Sequence, residues 1–187
     1  IYNHEFSSKR LEQVRDLFIF SCYTALSYID VCELRQEDIR TGFDGNLWIV
    51  RKRHKTNVTS TVRLLDIPKA ILEKYKDQLP NGKILPIISN QKMNDYLKEL
   101  GELAEINEPV RETYYKGNER IDEVTPKYAL LSTHAGRRTF ICNALALGIP
   151  AQVVMKWTGH SDYKAMKPYI DIADDIKANA MNKFNQL

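Results

Sequence analysis

Ser132-Thr133-His134-Ala135-Gly136-Arg137-Arg138 opens a periodic apolar segment that Gly148 closes. Thr133 is a helix-capping residue type and Gly148 a helix-ending one, so the pattern predicts a helix from His134 to Leu147. His134 and Arg137 stand three apart and share one helix face. Both also fall in the first turn, where outward-pointing backbone amides favour an anion. An imidazole, a guanidinium and a helix N-terminus together make a phosphate site, although such a pair alone also fits an ordinary polar surface patch.

Downstream, Pro150 begins another helix that ends near Thr158-Gly159, with His160 directly after it. A short helix is expected over Tyr163 to Tyr169. A last one over Ile172 to Phe184 places Ile172, Ile176, Ala180 and Phe184 on one stripe. Upstream, Ser7 or Ser8 caps a helix to about Ala25, and Ser27 caps a short one from Tyr28 to Leu34 with Asp30 in its first turn. Asp44-Gly45 is a hairpin signal between Ile39–Phe43 and Leu47–Arg53, and Thr61–Ile67 supplies a third strand. Pro68 suits the first position of a helix from Lys69 to Gln78. Ser89 caps an amphipathic helix to about Ile106 with Leu97, Leu100, Leu103 and Ala104 on its apolar face. Val110–Tyr115 and Arg120–Val124 read as a hairpin around Lys116-Gly117-Asn118. The fold class is therefore α+β, mainly helical with a small antiparallel three-stranded sheet, in one domain.

The bulk properties fit this. The 187 residues suffice for one core, and with 43 % hydrophobic and 27 % charged residues the composition is that of an ordinary soluble domain. No apolar run reaches the ~20 residues of a membrane span, and the polar start is no secretion signal. Cys22, Cys32 and Cys142 lie among apolar residues without paired spacing, which fits buried thiols in a reducing cytoplasm. Net charge is only +3, but the cations are unevenly spread. Arg51, Lys52, Arg53, Lys55 and Arg63 occur with no acid between them, and Lys127, Arg137, Arg138, Lys156, Lys164 and Lys167 with only Asp162. Two basic zones of this kind suit a face turned to a polyanion. The sequence has no HExxH, cysteine cluster or carboxylate group with metal-ligand spacing.

Lys55 in a basic strand-to-strand loop, His134-x-x-Arg137, Gly159-His160 and Tyr169 together form an ordered set. It resembles the signature of the tyrosine recombinases, the phage-integrase family. Phe18–Leu34, ending Ile29-Asp30-Val31-Cys32-Glu33-Leu34, looks like that family's first conserved block. Ser89–Val110 and the hairpin after it look like the Bacteroides-type mobile-element integrase branch. The resemblance covers nearly the whole chain and implies the tyrosine recombinase catalytic-domain fold over residues 1–187. It implies that Tyr169 is the nucleophile and leaves a 3′-phosphotyrosine and a free 5′-hydroxyl. Arg137 holds the non-bridging oxygens, Lys55 protonates the leaving 5′-oxygen, His134 accepts or donates the tyrosine proton, and His160 hydrogen-bonds the phosphate. The chemistry it implies needs no metal or cofactor. It acts on double-stranded DNA in a tetramer on paired sites, in a bacterial cytoplasm at the nucleoid and away from membranes. Lys52, Arg51, Arg53 and Arg138 are the expected DNA contacts. A preceding core-DNA-binding domain is expected in the full protein, as the chain begins at Ile1. The family's last segment often docks on a neighbouring protomer, which is the use implied for the Ile172–Phe184 stripe; docking on its own core is the alternative.

One position departs from the pattern. The family carries a first catalytic arginine after a Thr-Gly-Leu turn, and here the stretch is Thr24-Ala25-Leu26-Ser27. Losing one preorganised charge typically costs ~10²–10³ in rate. Alternation along a strand puts Arg51, Arg53 and Lys55 on one face, so Arg53 is the expected replacement, with Arg51 or no replacement as alternatives. A catalytically impaired DNA-binding relative and a relaxing topoisomerase are the competing functions.

Overall fold

The computed structural model describes residues 1–52, 58–160 and 162–172. Helix α1 (Lys9–Thr24) runs through the middle of the molecule. Its stretch Leu17-Phe18-Ile19-Phe20-Ser21 is buried on every side. Ser8 occupies the N-cap position without a side-chain cap bond, and the helix ends on Ala25 in a left-handed conformation (φ 58°). The buried carboxylate of Asp16 accepts from Lys74 Nζ at 2.6 Å, Tyr75 Oη at 2.7 Å and Arg15 Nε at 3.0 Å, so this interior charge is both paired and hydrogen-bonded.

Ser27 caps α2 (Tyr28–Cys32) through a reciprocal box with Asp30. A 3-10 turn, Gln36–Asp38, leads into β1 (Ile39–Thr41), β2 (Leu47–Lys52) and β3 (Thr59–Arg63), an antiparallel sheet in that order. β3 stops four residues earlier than its sequence pattern suggested. β2 begins at Leu47, and after the Leu64 N–H donates to the Leu47 carbonyl the ladder has no further partner strand. Helix α3 (Asp66–Tyr75) begins before Lys69, so Pro68 is its third residue rather than its first. The amides of the whole first turn lack intrahelical partners, so a proline is tolerated there.

Helix α4 (Asn90–Leu103) is capped by the Ser89 hydroxyl, which accepts from the Lys92 N–H. Its buried face is Met93, Leu97 and Leu100; that spacing continues to Ala104, and Leu103 is exposed, contrary to the expected face. A two-stranded hairpin follows, β4 (Pro109–Lys116) and β5 (Glu119–Pro126), with Gly117 at φ 63° in its two-residue turn. Helix α5 (Thr133–Ala146) then packs on α1 and α4. Ser132, not Thr133, stands at its cap position. The first turn is instead closed from α4: the Thr133 N–H donates to Asn94 Oδ1 at 2.8 Å and its hydroxyl to Asn90 Oδ1 at 3.2 Å. Helix α6 (Ala151–Thr158) ends on Gly159 in a left-handed conformation. The expected helix from Tyr163 to Tyr169 is two pieces, a 3-10 turn Tyr163–Ala165 and α7 (Lys167–Ile172). Pro168 explains the break, because it withholds an N–H and drives Lys167 away from a continuing helix, yet fits a new first turn. The stripe expected beyond Ile172 lies outside the described residues, as do Arg53 and Lys55.

Among the described residues, two apolar clusters result. The larger joins α1, α3, α4 and the inner face of the sheet around Phe20, Leu34, Ile49 and Leu97. The smaller joins α5, α6 and the α7 region through Ile141, Val154 and Met166. At Gly136, α5 lies close against the backbone of α1. A Cβ there meets Ser21 Cβ at 2.9 Å and the Phe18 carbonyl oxygen at 3.2 Å. Alanine's helix propensity favours Gly136→Ala by about 1 kcal/mol, but overpacking against backbone costs about 1–3. The expected result is a lower urea midpoint, equivalent to a loss of up to about 2 kcal/mol, at unchanged m-value.

Among the described residues, no helix is long and apolar enough to cross a membrane.

Candidate active site

Arg137 is the centre of the site. It is one turn past His134 on α5 and only 3 % exposed, while His134 is at the surface. Its Nη1 donates to the Ala25 carbonyl at 2.5 Å and its Nη2 to the Thr158 carbonyl at 2.5 Å. One guanidinium thus ties together the ends of α1 and α6 and the start of α5. The left-handed residues that end those helices, Ala25 and Gly159, reverse the chain so that these carbonyls converge. An arginine fork held by two fixed acceptors has a set direction, which a flexible ammonium lacks.

His160 joins it. Its Nε2 lies 3.3 Å from Arg137 Nη2, and its Nδ1 lies 2.7 Å from Thr158 Oγ1. The histidine after Gly159 is therefore brought to an arginine near the start of α5, across more than twenty residues of chain. Two cationic or cation-capable side chains side by side suit a site for an anionic oxygen. Sequence reasoning quoted Thr158 but gave it no role. The structure shows it to be the residue that touches both Arg137 and His160.

Tyr169 is half-buried on α7, with its ring against the cluster of Ile141, Val154 and Met166. Since α7 packs on α5, the tyrosine sits on the same helix-to-helix unit as Arg137. Lys55 and Arg53 fall outside the described residues. Val58 and Thr59, which follow them in the chain, line an open groove with Lys156, Trp157 and His160. The Ser60 hydroxyl donates to the Trp157 carbonyl, fixing β3 against the end of α6.

Other expected residues are distributed as follows. Ser27, at the position of the absent arginine, is two residues from Arg137's partner Ala25, and its hydroxyl bonds Asp30 Oδ2 at 2.6 Å. Arg51 is not with Arg137. Its Nη2 meets Glu33 Oε2 at 2.6 Å and its Nη1 meets Asp38 Oδ2 at 2.8 Å, so it braces the sheet against the end of α2 and the 3-10 turn after it. The reason is strand alternation: Arg51 shares the inner face with Ile49 and, across the ladder, Ser60 and Val62. Lys52 and Arg138 are exposed. All three cysteines are free and half-buried rather than fully interior. Burial pushes the Cys22 thiol up to about 12, which leaves it protonated and inert at neutral pH.

The fold is that of tyrosine recombinase catalytic domains. Three matches illustrate it. One is the XerH site-specific recombinase bound to a palindromic difH substrate in a post-cleavage complex, with TM-score 0.67, 12 % identity, and 97 % of this chain on 48 % of that one. Another is the Tn1549 transposon integrase in complex with a circular intermediate DNA, with TM-score 0.64, 15 % identity, and 95 % of this chain on 60 % of that one. A third is a lambda integrase dimer bound to a COC′ core site, with TM-score 0.59, 17 % identity, and 87 % of this chain on 53 % of that one. The chain thus spans 48 % to 60 % of the length of these structures. No family model and no curated protein matches the sequence.

Proposed function

We propose that this chain is the catalytic domain of a tyrosine-type site-specific recombinase that cuts and rejoins double-stranded DNA through a covalent bond to Tyr169. The observation that carries this reading is the convergence of Arg137 on α5 with His160, just past the end of α6, inside a fold shared with DNA-bound recombinases and integrases.

The residues suit the chemistry. A phosphodiester already bears a negative charge, and attack adds more on the non-bridging oxygens, so fixed donors must absorb it. Arg137 supplies them, and His160 beside it adds another when its ring carries both protons. A phenol has an ordinary pKa near 10 and needs help to attack at neutral pH. His134, one helical turn before Arg137, takes the phenol proton. The Tyr169 oxygen bonds to phosphorus as the bond to the 5′-oxygen breaks, and Lys55 protonates that oxygen. One phosphodiester is exchanged for another, so the energy needed for rejoining is retained. Lys55 is three residues from Val58 in the chain, and Val58 lines the groove beside His160. Lys52 and Arg138 contact the DNA backbone; such contacts make binding steeply salt-dependent. Arg51, spent on Glu33 and Asp38, is the weakest of the proposed contacts.

The finer reading is an integrase of a mobile element of the Bacteroides type. It acts at the nucleoid as a tetramer on paired sites, with a preceding core-DNA-binding domain. Arg53 stands in for the arginine absent at Ser27. The test of the whole reading is a duplex nicked near the cut site, which loses the short 5′-hydroxyl fragment and traps the enzyme. A denaturation-resistant protein–DNA adduct is the expected product; its absence on every target of a mobile-element end library sinks the reading. For Arg53→Ala, adduct formation is expected to fall by ~10²–10³. An undiminished rate removes Arg53 from the site.

A further inference from the structure

Thr158 is completely buried at the end of α6, and each of its polar atoms is occupied. Its carbonyl accepts Arg137 Nη2 at 2.5 Å. Its hydroxyl donates to the Val154 carbonyl at 2.8 Å, one turn back, and meets His160 Nδ1 at 2.7 Å. A hydroxyl has one proton to give. With that proton on Val154, the oxygen accepts from His160, which requires Nδ1 to carry hydrogen. The far side of the ring agrees. His160 Nε2 faces Arg137 Nη2 at 3.3 Å, and a guanidinium only donates, so a neutral imidazole must present a lone pair there. The opposite tautomer sets N–H against N–H at Nε2.

We propose that Thr158 is the positioning residue of the phosphate site: its carbonyl aims Arg137, and its hydroxyl holds His160 in the Nδ1–H form with Nε2 turned to the same space. This rests on the phosphodiester reading above. It assigns one residue the direction of both the guanidinium and the imidazole, and it makes a hydroxyl on the residue before Gly159-His160 a chemical requirement. An imidazole fixed through one nitrogen presents the other at a defined angle, as histidines oriented by a neighbouring acceptor do in other sites.

The experiment uses the full chain with ¹⁵N-labelled histidine and long-range proton–nitrogen correlation spectra, which report which ring nitrogen of His160 is protonated. Wild type is expected to show Nδ1–H. Thr158→Val keeps shape and backbone carbonyl but removes the hydroxyl, and the proton is expected to move wholly or partly to Nε2. Adduct formation on the nicked duplex then drops roughly 10–100-fold. Thr158→Ser is expected to keep the Nδ1–H form and near wild-type adduct formation. Nε2–H in wild type, or an unchanged tautomer in Thr158→Val, overturns the proposal. If the valine variant does not fold, the wild-type and serine spectra decide alone: Nδ1–H in both supports it, and Nε2–H in either overturns it. A wild-type chain with the Nδ1–H form that never captures DNA overturns the strand-transfer reading while leaving the hydroxyl's hold on the ring intact.

Discussion

Tyr169→Phe is expected to abolish the covalent adduct on a nicked duplex completely while leaving the fold in place. The substitution removes one oxygen and keeps the ring that packs against Ile141, Val154 and Met166. Its effect on stability should therefore lie within the ±0.5 kcal/mol of substitutions that disturb no core contact. The effect on chemistry is total, because no covalent bond to phosphorus forms without the phenol oxygen. Tyr163 provides the control. It is six residues earlier, exposed, and in the 3-10 turn rather than on α7. Tyr163→Phe should leave adduct formation intact. Mass mapping of the trapped peptide adds a second check, since the adduct must sit on the peptide containing Tyr169. An adduct that persists in Tyr169→Phe, or maps to Tyr163, gives the nucleophile to another residue and removes the main assignment.

The helices that carry the candidate site were legible in the sequence because their signals are local. His134 and Arg137 are one helical turn apart, and helix geometry alone places them on one face. The glycines after α5 and α6 mark where those helices stop. What the sequence could not supply was which distant backbone groups complete the site. The Ala25 carbonyl is 112 residues from Arg137, and no residue pattern marks a carbonyl as an acceptor. Its availability depends on Ala25 adopting a positive φ, a conformation expected of glycine or asparagine and so invisible at an alanine. Arg51 is the reverse case. Its position in a basic run pointed to DNA, but burial of the strand's inner face and the nearby carboxylates of Glu33 and Asp38 turned it into a brace. Charge in sequence counts cations; only the fold shows which of them already have acidic neighbours.

The second large effect belongs to Arg137, where structural and chemical roles must be separated. Arg137→Ala leaves the carbonyls of Ala25 and Thr158 without these donors in a buried site, which costs about 1–3 kcal/mol for each group left unsatisfied. A lost rate in that variant is therefore ambiguous, because the ends of α1 and α6 lose their tie. Arg137→Lys is the sharper variant. An ammonium can still reach one carbonyl, so the expected destabilisation in urea is smaller than for alanine. It cannot fork to both carbonyls and still present a planar donor edge beside His160. Adduct formation at saturating DNA, measured on the folded fraction, should nevertheless fall by ~10²–10³, the cost of one misdirected preorganised donor. The expected pattern is a stability loss ranked alanine over lysine, with a large rate loss common to both. If the folded fraction of the lysine variant reacts at the wild-type rate, Arg137 is a brace between helix ends, like Arg51 between sheet and turn, and the phosphate must be held elsewhere.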